Sequence, residues 1–158
     1  MTTFEFARFL LDTNAVSGIG QARRASQFFR QRVLMPDEVL YECRGASDFS
    51  EFSGQVFPTT TRVLQRVVEV MSTVEVDDFS LVDLYKSEGG ADPLLIACAL
   101  VAEECDEPSL FGFNWVIVSN DRAVQRRARE FHVQVMDVPS FTELVDRSTK
   151  GLGASKSV

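Results

Sequence analysis

The hydrophobic positions of the chain change period repeatedly, and each change marks a passage between strand and helix. Residues 6–11 (FARFLL) form a short, largely apolar run that stops at Asp12-Thr13-Asn14, a buried strand followed by turn and helix-cap chemistry. Residues 21–32 carry polar and basic side chains around Ala22, Ala25, Phe28 and Phe29 at helical spacing, and 33–35 read as a short strand. Pro36 stands where a first helical residue belongs. Asp37 and Glu38 follow at the positive end of a helix expected to run to about Arg44, before Gly45. Residues 46–56 are expected to be a loop or a weak helix. Val63, Leu64, Val67, Val68 and Met71 define the apolar face of a helix over 60–72.

The alternation continues in the second half. An edge strand is expected at 74–76 and a short helix, capped by Ser80, at 80–87, before Gly89-Gly90 breaks it. Asp92-Pro93 opens the next helix, Asp92 as cap and Pro93 as first residue, running to about Glu104. Residues 115–118 (WVIV) read as a buried strand, followed by Ser-Asn-Asp and a basic helix over 122–130. A last strand at 133–136 and a last helix at 140–147 precede a Gly-, Ser- and Lys-rich stretch. Residues 1–148 are therefore expected to be one domain and 149–158 a flexible tail. Short strands alternating with helices imply an α/β fold with a parallel sheet covered on both faces.

Composition narrows the chemistry. The 158 residues, 45% apolar and 25% charged, suit a single soluble domain. The longest apolar run, 94–102, is too short to span a bilayer, so no membrane association is expected. Glu5 and Arg8 interrupt the N-terminal apolar residues, so no secretory signal is expected and the cytoplasm is the expected location. Cys43, Cys98 and Cys105 are an odd set without a close pair, neither a disulfide framework nor a zinc site. The single histidine, His132, is expected in a surface turn. Acid–base work is thereby left mainly to carboxylates, metals or water.

The net charge is −7, from 16 basic and 23 acidic residues, and taken alone it argues against a nucleic-acid binder. Acids gathered around bound cations would reverse that sign locally. Four acids have notable positions. Asp12 directly follows the first strand, and Asp121 lies just past the WVIV strand, where ligands bind at the carboxyl ends of open parallel sheets. Asp92 opens a helix and Glu42 lies near the end of one. Any single acid among 23 is more often a solvated charge or a cap, and Asp92 before Pro93 would cap its helix regardless. Convergence would change this, because two carboxylates ~4 Å apart repel by about 4 kcal/mol at an effective dielectric of roughly 20. A fold with about 5–15 kcal/mol of net stability would not gather four without divalent cations, and oxygen-only ligands favour magnesium or manganese over zinc.

The stretches FLLDTN at 9–14, PDEVLYE at 36–42, GGADPLLIACAL at 89–100 and VSND at 118–121, in that order, resemble PIN domains. Within these they resemble the VapC-like toxin ribonucleases of prokaryotic toxin–antitoxin systems, over about residues 6–148. The resemblance implies a three-layer sandwich with strand order 3-2-1-4-5 and a Mg2+- or Mn2+-dependent endoribonuclease acting on RNA. It also implies a small antitoxin partner that blocks the site, and a homodimer. By position, Asp12, Glu42, Asp92 and Asp121 match the catalytic acids, of which Asp12, Asp92 and Asp121 would hold metal. Asn14 matches the polar residue that helps hold the first acid. Ser119 and Asn120 match a Thr/Asn-containing turn beside the metal or phosphate, and Arg122 is the best candidate phosphate contact. Many VapC-like proteins have Thr in place of Ser119, Ala in place of Pro93, and a wider spacing than the adjacent Asn120-Asp121.

Competing readings are weaker. A haloacid-dehalogenase-like phosphatase needs Asp-x-Asp after the first strand, where this chain has Asp12-Thr13-Asn14, and a receiver domain needs an acidic pair the chain lacks. A PIN-like binding module without catalysis, or a housekeeping RNA-processing nuclease, are the alternatives that keep the fold. Arg122, Arg126, Arg127 and Arg129, with Arg23, Arg24, Arg30 and Arg32, form two basic clusters that read either as phosphate contacts or as solvated helix faces.

Overall fold

A computed structural model describes residues 4, 6–73, 91–105 and 114–154, the side chains of 91–92 and 152–154 excepted. Five short strands form one parallel sheet: β1 (Arg8–Leu11), β2 (Val33–Pro36), β3 (Val56–Phe57), β4 (Trp115–Val118) and β5 (Gln134–Met136), in the order β3-β2-β1-β4-β5. The architecture is α/β with strand order 3-2-1-4-5, as expected. β1 sits at the centre, with Phe9 opposite Val33 on one side and Val116 on the other. The edge expected at 74–76 and the helix at 80–87 lie outside the described residues. β3 instead comes from the stretch expected to be a loop. Its two residues are too few for alternation to show, and Gln55 anchors it by donating to the carbonyls of Phe29 and Val33, both at 2.9 Å.

The two faces of the sheet build two separate cores. Phe9, Leu11, Val33, Met35, Val116 and Val118 face one layer, whereas Leu10, Trp115 and Ile117 face the other, as the period-2 geometry of strands requires. The first layer contains α1 (Thr13–Ile19), α2 (Gln21–Arg24), α3 (Gln27–Arg32), α4 (Asp37–Glu42), α5 (Phe49–Phe52) and α9 (Val138–Ala154). Here Phe141 of α9 packs against Phe9 at a ring separation of 5.0 Å and against Phe28 at 6.1 Å. The second layer contains α6 (Thr61–Ser72), α7 (Ala91–Cys105) and α8 (Arg122–Glu130). The start of α6 lies against the end of α7, where Arg62 pairs with Glu104 at 2.9 Å. No helix of the described residues is long and apolar enough to cross a membrane.

Local chemistry explains where helices start and stop. The span 21–32 is two helices, because Ser26 adopts an extended conformation and accepts the N–H of Phe29, giving α3 its own start. Pro36 ends β2, with ψ of 154°, and α4 begins at Asp37. A 3-10 turn, Cys43–Gly45, completes that segment. Gly20, at φ +82°, makes the turn from α1 into α2 in a region that side chains with a Cβ rarely enter. α9 is much longer than the helix expected at 140–147, and residues 149–154, expected to fray, are helical. Buried Phe141 and Val145, one turn apart, hold it to the sheet, and Thr149 donates to the carbonyl of Val145.

Candidate functional site

The strand order reverses between β1 and β4, and in open parallel sheets it is beyond the carboxyl ends of strands at such a point that ligands bind. Asp12 is the first residue past β1. Its N–H extends the ladder to the carbonyl of Val118, and its Oδ1 accepts the N–H of Ala15 at 2.6 Å, capping α1. The side chain is only 6% exposed. From the other strand, Ser119 donates its N–H to the carbonyl of Met136 and is fully buried. Its hydroxyl accepts the N–H of Asp121 at 3.0 Å. Asp121, exposed, caps α8 by accepting from Ala123 at 2.7 Å and Val124 at 3.4 Å.

Glu42, the last residue of α4, is brought to the start of α1. Its Oε2 accepts the hydroxyl of Thr13, the first residue of α1. Burial pushes the Asp12 carboxyl up from its ordinary value, and the negative charges of Asp121 and Glu42 push in the same direction. The hydrogen bonds from Ser119 and Ala15 oppose that rise. The charges of Glu42 and Asp121 are thus both felt at Asp12, although Asp121 lies 109 positions away along the chain. Asp92 occupies the first turn of α7, and its side chain lies outside the described residues.

The remaining expected residues take distinct places. Asn120 is held by structure, its Oδ1 accepting the N–H of Val138 at 2.9 Å at the start of α9. It also lines a crevice of about 680 Å³ between α1 and α9. Asn14 is exposed on α1, and the groups that hold Asp12 are the Ala15 N–H and the Ser119 hydroxyl. Arg122 is the exposed first residue of α8. Sequence reasoning missed Thr13, and the one signal for it was its place directly after Asp12. The cluster of Arg23, Arg24, Arg30 and Arg32 is largely engaged within the fold: Arg23 with Asp146, Arg24 with Asp48, Arg30 with Glu51, and Arg32 with the carbonyl of Ala7.

Arg24 is the most constrained of these. It forms a two-bond pair with Asp48, at 2.8 and 2.9 Å, and donates to the carbonyl of Val16 at 2.7 Å. Together with Glu42, Cys43, Val16 and Ser17 it lines a cavity of about 280 Å³. Burial pushes the Cys43 thiol up to about 11 and that of Cys98 up to about 12, so neither is a thiolate nucleophile at neutral pH.

Among the described residues, no group of three or more His, Cys, Asp or Glu side chains is arranged to hold a metal ion. Asp12, Asp121 and Glu42 offer carboxylate oxygens only, the donor type that hard cations take, and the charges that raise Asp12 are both negative. Asp92 is the fourth acid of the expected set. No protein-family model matches the chain, and no curated protein is significantly similar to it.

Proposed function

We propose that this protein is a Mg2+- or Mn2+-dependent endoribonuclease of the PIN-domain type, acting as the toxin of a toxin–antitoxin pair. The observation that carries the reading is the buried Asp12 carboxyl just past β1, at the reversal point of a parallel sheet, with Glu42 bonded to the adjacent Thr13 and Asp121 just past the neighbouring β4. A buried carboxyl beside two other carboxylates is costly without a cation, and such a cost is retained where it serves chemistry. The motif resemblance, in order along the chain, supplies the substrate class.

In this reading Asp12, Asp92 and Asp121 hold the cation, with Glu42 assisting directly or through water. The bound cation supplies a water of lowered pKa and stabilises charge on phosphate oxygens. The chain's own groups prepare the place. Ser119 favours the ionised form of Asp12 and fixes its direction, and the α1 cap fixes the second contact. Arg122 is the proposed phosphate contact beside Asp121. No protein nucleophile is needed, in keeping with the raised thiols and the exposed, lone His132. Products carry 5′-phosphate and 3′-hydroxyl ends.

The test is cleavage of single-stranded RNA by the purified full chain with Mn2+ or Mg2+ and with EDTA. Metal-dependent cleavage that disappears in both Asp12→Asn and Asp92→Asn, with melting curves still cooperative, supports the proposal. Unchanged cleavage in both variants overturns it. The toxin role is tested by induction in bacteria, where growth arrest by the wild type but not by Asp12→Asn is expected.

A further inference from the structure

We infer that Thr13 is a positioning residue for Glu42, holding its carboxylate at the start of α1 beside Asp12; the inference rests on the metal-dependent reading above. Thr13 stands at the first helical position of α1, and its half-buried side chain donates its hydroxyl to Oε2 of Glu42, 29 residues away in the chain. Glu42 is exposed at the end of α4, and its charge is felt at Asp12. A long, exposed side chain repelled by neighbouring carboxylates would swing outward into solvent, where both hydration and distance favour it. The Thr13 hydroxyl opposes that swing.

The placement of Thr13 makes the device rigid. Asp12 caps α1 through Ala15, so the helix start that carries Thr13 is fixed by the same carboxylate that forms the centre of the cluster. Ser119 does the corresponding work from β4, linking Asp12 to the backbone of Asp121. One hydroxyl thus holds Glu42 at the residue after Asp12, and the other holds the backbone of Asp121. Thr13 touches neither substrate nor metal in this scheme and acts only through Glu42.

The experiment compares wild type with Thr13→Val, Thr13→Ser, Glu42→Gln and the double variant Thr13→Val/Glu42→Gln. It uses two readouts: the rise in melting temperature as Mn2+ is titrated, and RNA cleavage. Removing an outer partner of a metal-binding group typically weakens metal binding roughly 10-fold or more. Thr13→Val is expected to raise the Mn2+ concentration for half-maximal stabilisation by about that factor, leaving the melting temperature in EDTA near the wild-type value. Thr13→Ser is expected to restore Mn2+ affinity, and the valine change is expected to add nothing once Glu42 is Gln. Wild-type Mn2+ affinity in Thr13→Val, or an equal loss with and without Glu42, overturns this role and leaves the nuclease reading standing. A wild-type protein that Mn2+ does not stabilise overturns the metal-dependent reading itself, and this inference with it.

Discussion

Ser119, fully buried at the end of β4, accepts through its hydroxyl the N–H of Asp121 at 3.0 Å. The same hydroxyl opposes the rise that burial imposes on the Asp12 carboxyl. Replacing Ser119 with Ala removes a bond that favours the charged form of Asp12 and leaves a backbone N–H without its acceptor. A group stranded in this way costs about 1–3 kcal/mol. Ser119→Ala is therefore expected to lower the denaturation midpoint and to weaken Mn2+-dependent cleavage, while Ser119→Thr keeps the hydroxyl and most of both. Urea unfolding with and without Mn2+ measures the two effects separately.

Asp12→Asn is expected to make the metal-free protein more stable at neutral pH while abolishing stabilisation by Mn2+. The folded carboxyl titrates above its unfolded value, so its contribution to stability is full below the unfolded value and is lost as pH rises through the folded one. Asn keeps the cap of α1 without the charge. Melting temperatures in EDTA from pH 4 to 8 should fall less steeply for the variant than for the wild type. A less stable variant at pH 7 would contradict the account of a repelled, buried carboxylate.

Arg24 and Asp48 have side chains 11% and 2% exposed, so removing the guanidinium strands a buried carboxylate. Breaking such a pair from one side costs about 3–5 kcal/mol. Arg24→Met is expected to lose stability of that order by urea denaturation, and Arg24→Met/Asp48→Leu to recover much of it. The pair also sets an acid limit. Its hydrogen bond to Arg24 holds the Asp48 carboxyl below the usual range. That contribution is present above the unfolded value and is lost as pH falls through the folded one.

Gly20→Ala tests backbone strain alone. A Cβ at this position would meet nothing within 4 Å, yet φ is +82°. A loss of about 1 kcal/mol in thermal or urea unfolding, without change in Mn2+ affinity, is the expected result.

The sheet and two of its acids were legible because the relevant signals are local. FARFLL and WVIV are apolar runs long enough to read as strands, and each is followed by polar residues that include the acid. The expected strand order came from the resemblance to PIN domains rather than from periodicity. β3 was illegible, since two residues held by the side chain of Gln55 leave no period to detect. α1 was read only as a cap, because seven residues with Ala15, Val16 and Ile19 buried make a very short pattern. The Thr13–Glu42 bond could not be read from spacing, as it depends on where α4 comes to rest. The arginines of 23–32 carried an ambiguous charge pattern. Their acidic partners, Asp48, Glu51 and Asp146, are brought to them by tertiary packing.

The central strand has a consequence in time. β1 pairs with β4, and Arg8 meets Trp115 across about a hundred intervening residues. Contacts so remote in sequence close late and slowly. During synthesis from the amino end, β1 waits beside β2 with one edge open until β4 has left the ribosome. That unsatisfied edge is a target for chaperones or for pairing with another nascent chain. The same delay keeps Asp12 and Asp121 apart until β4 joins β1 and the sheet closes.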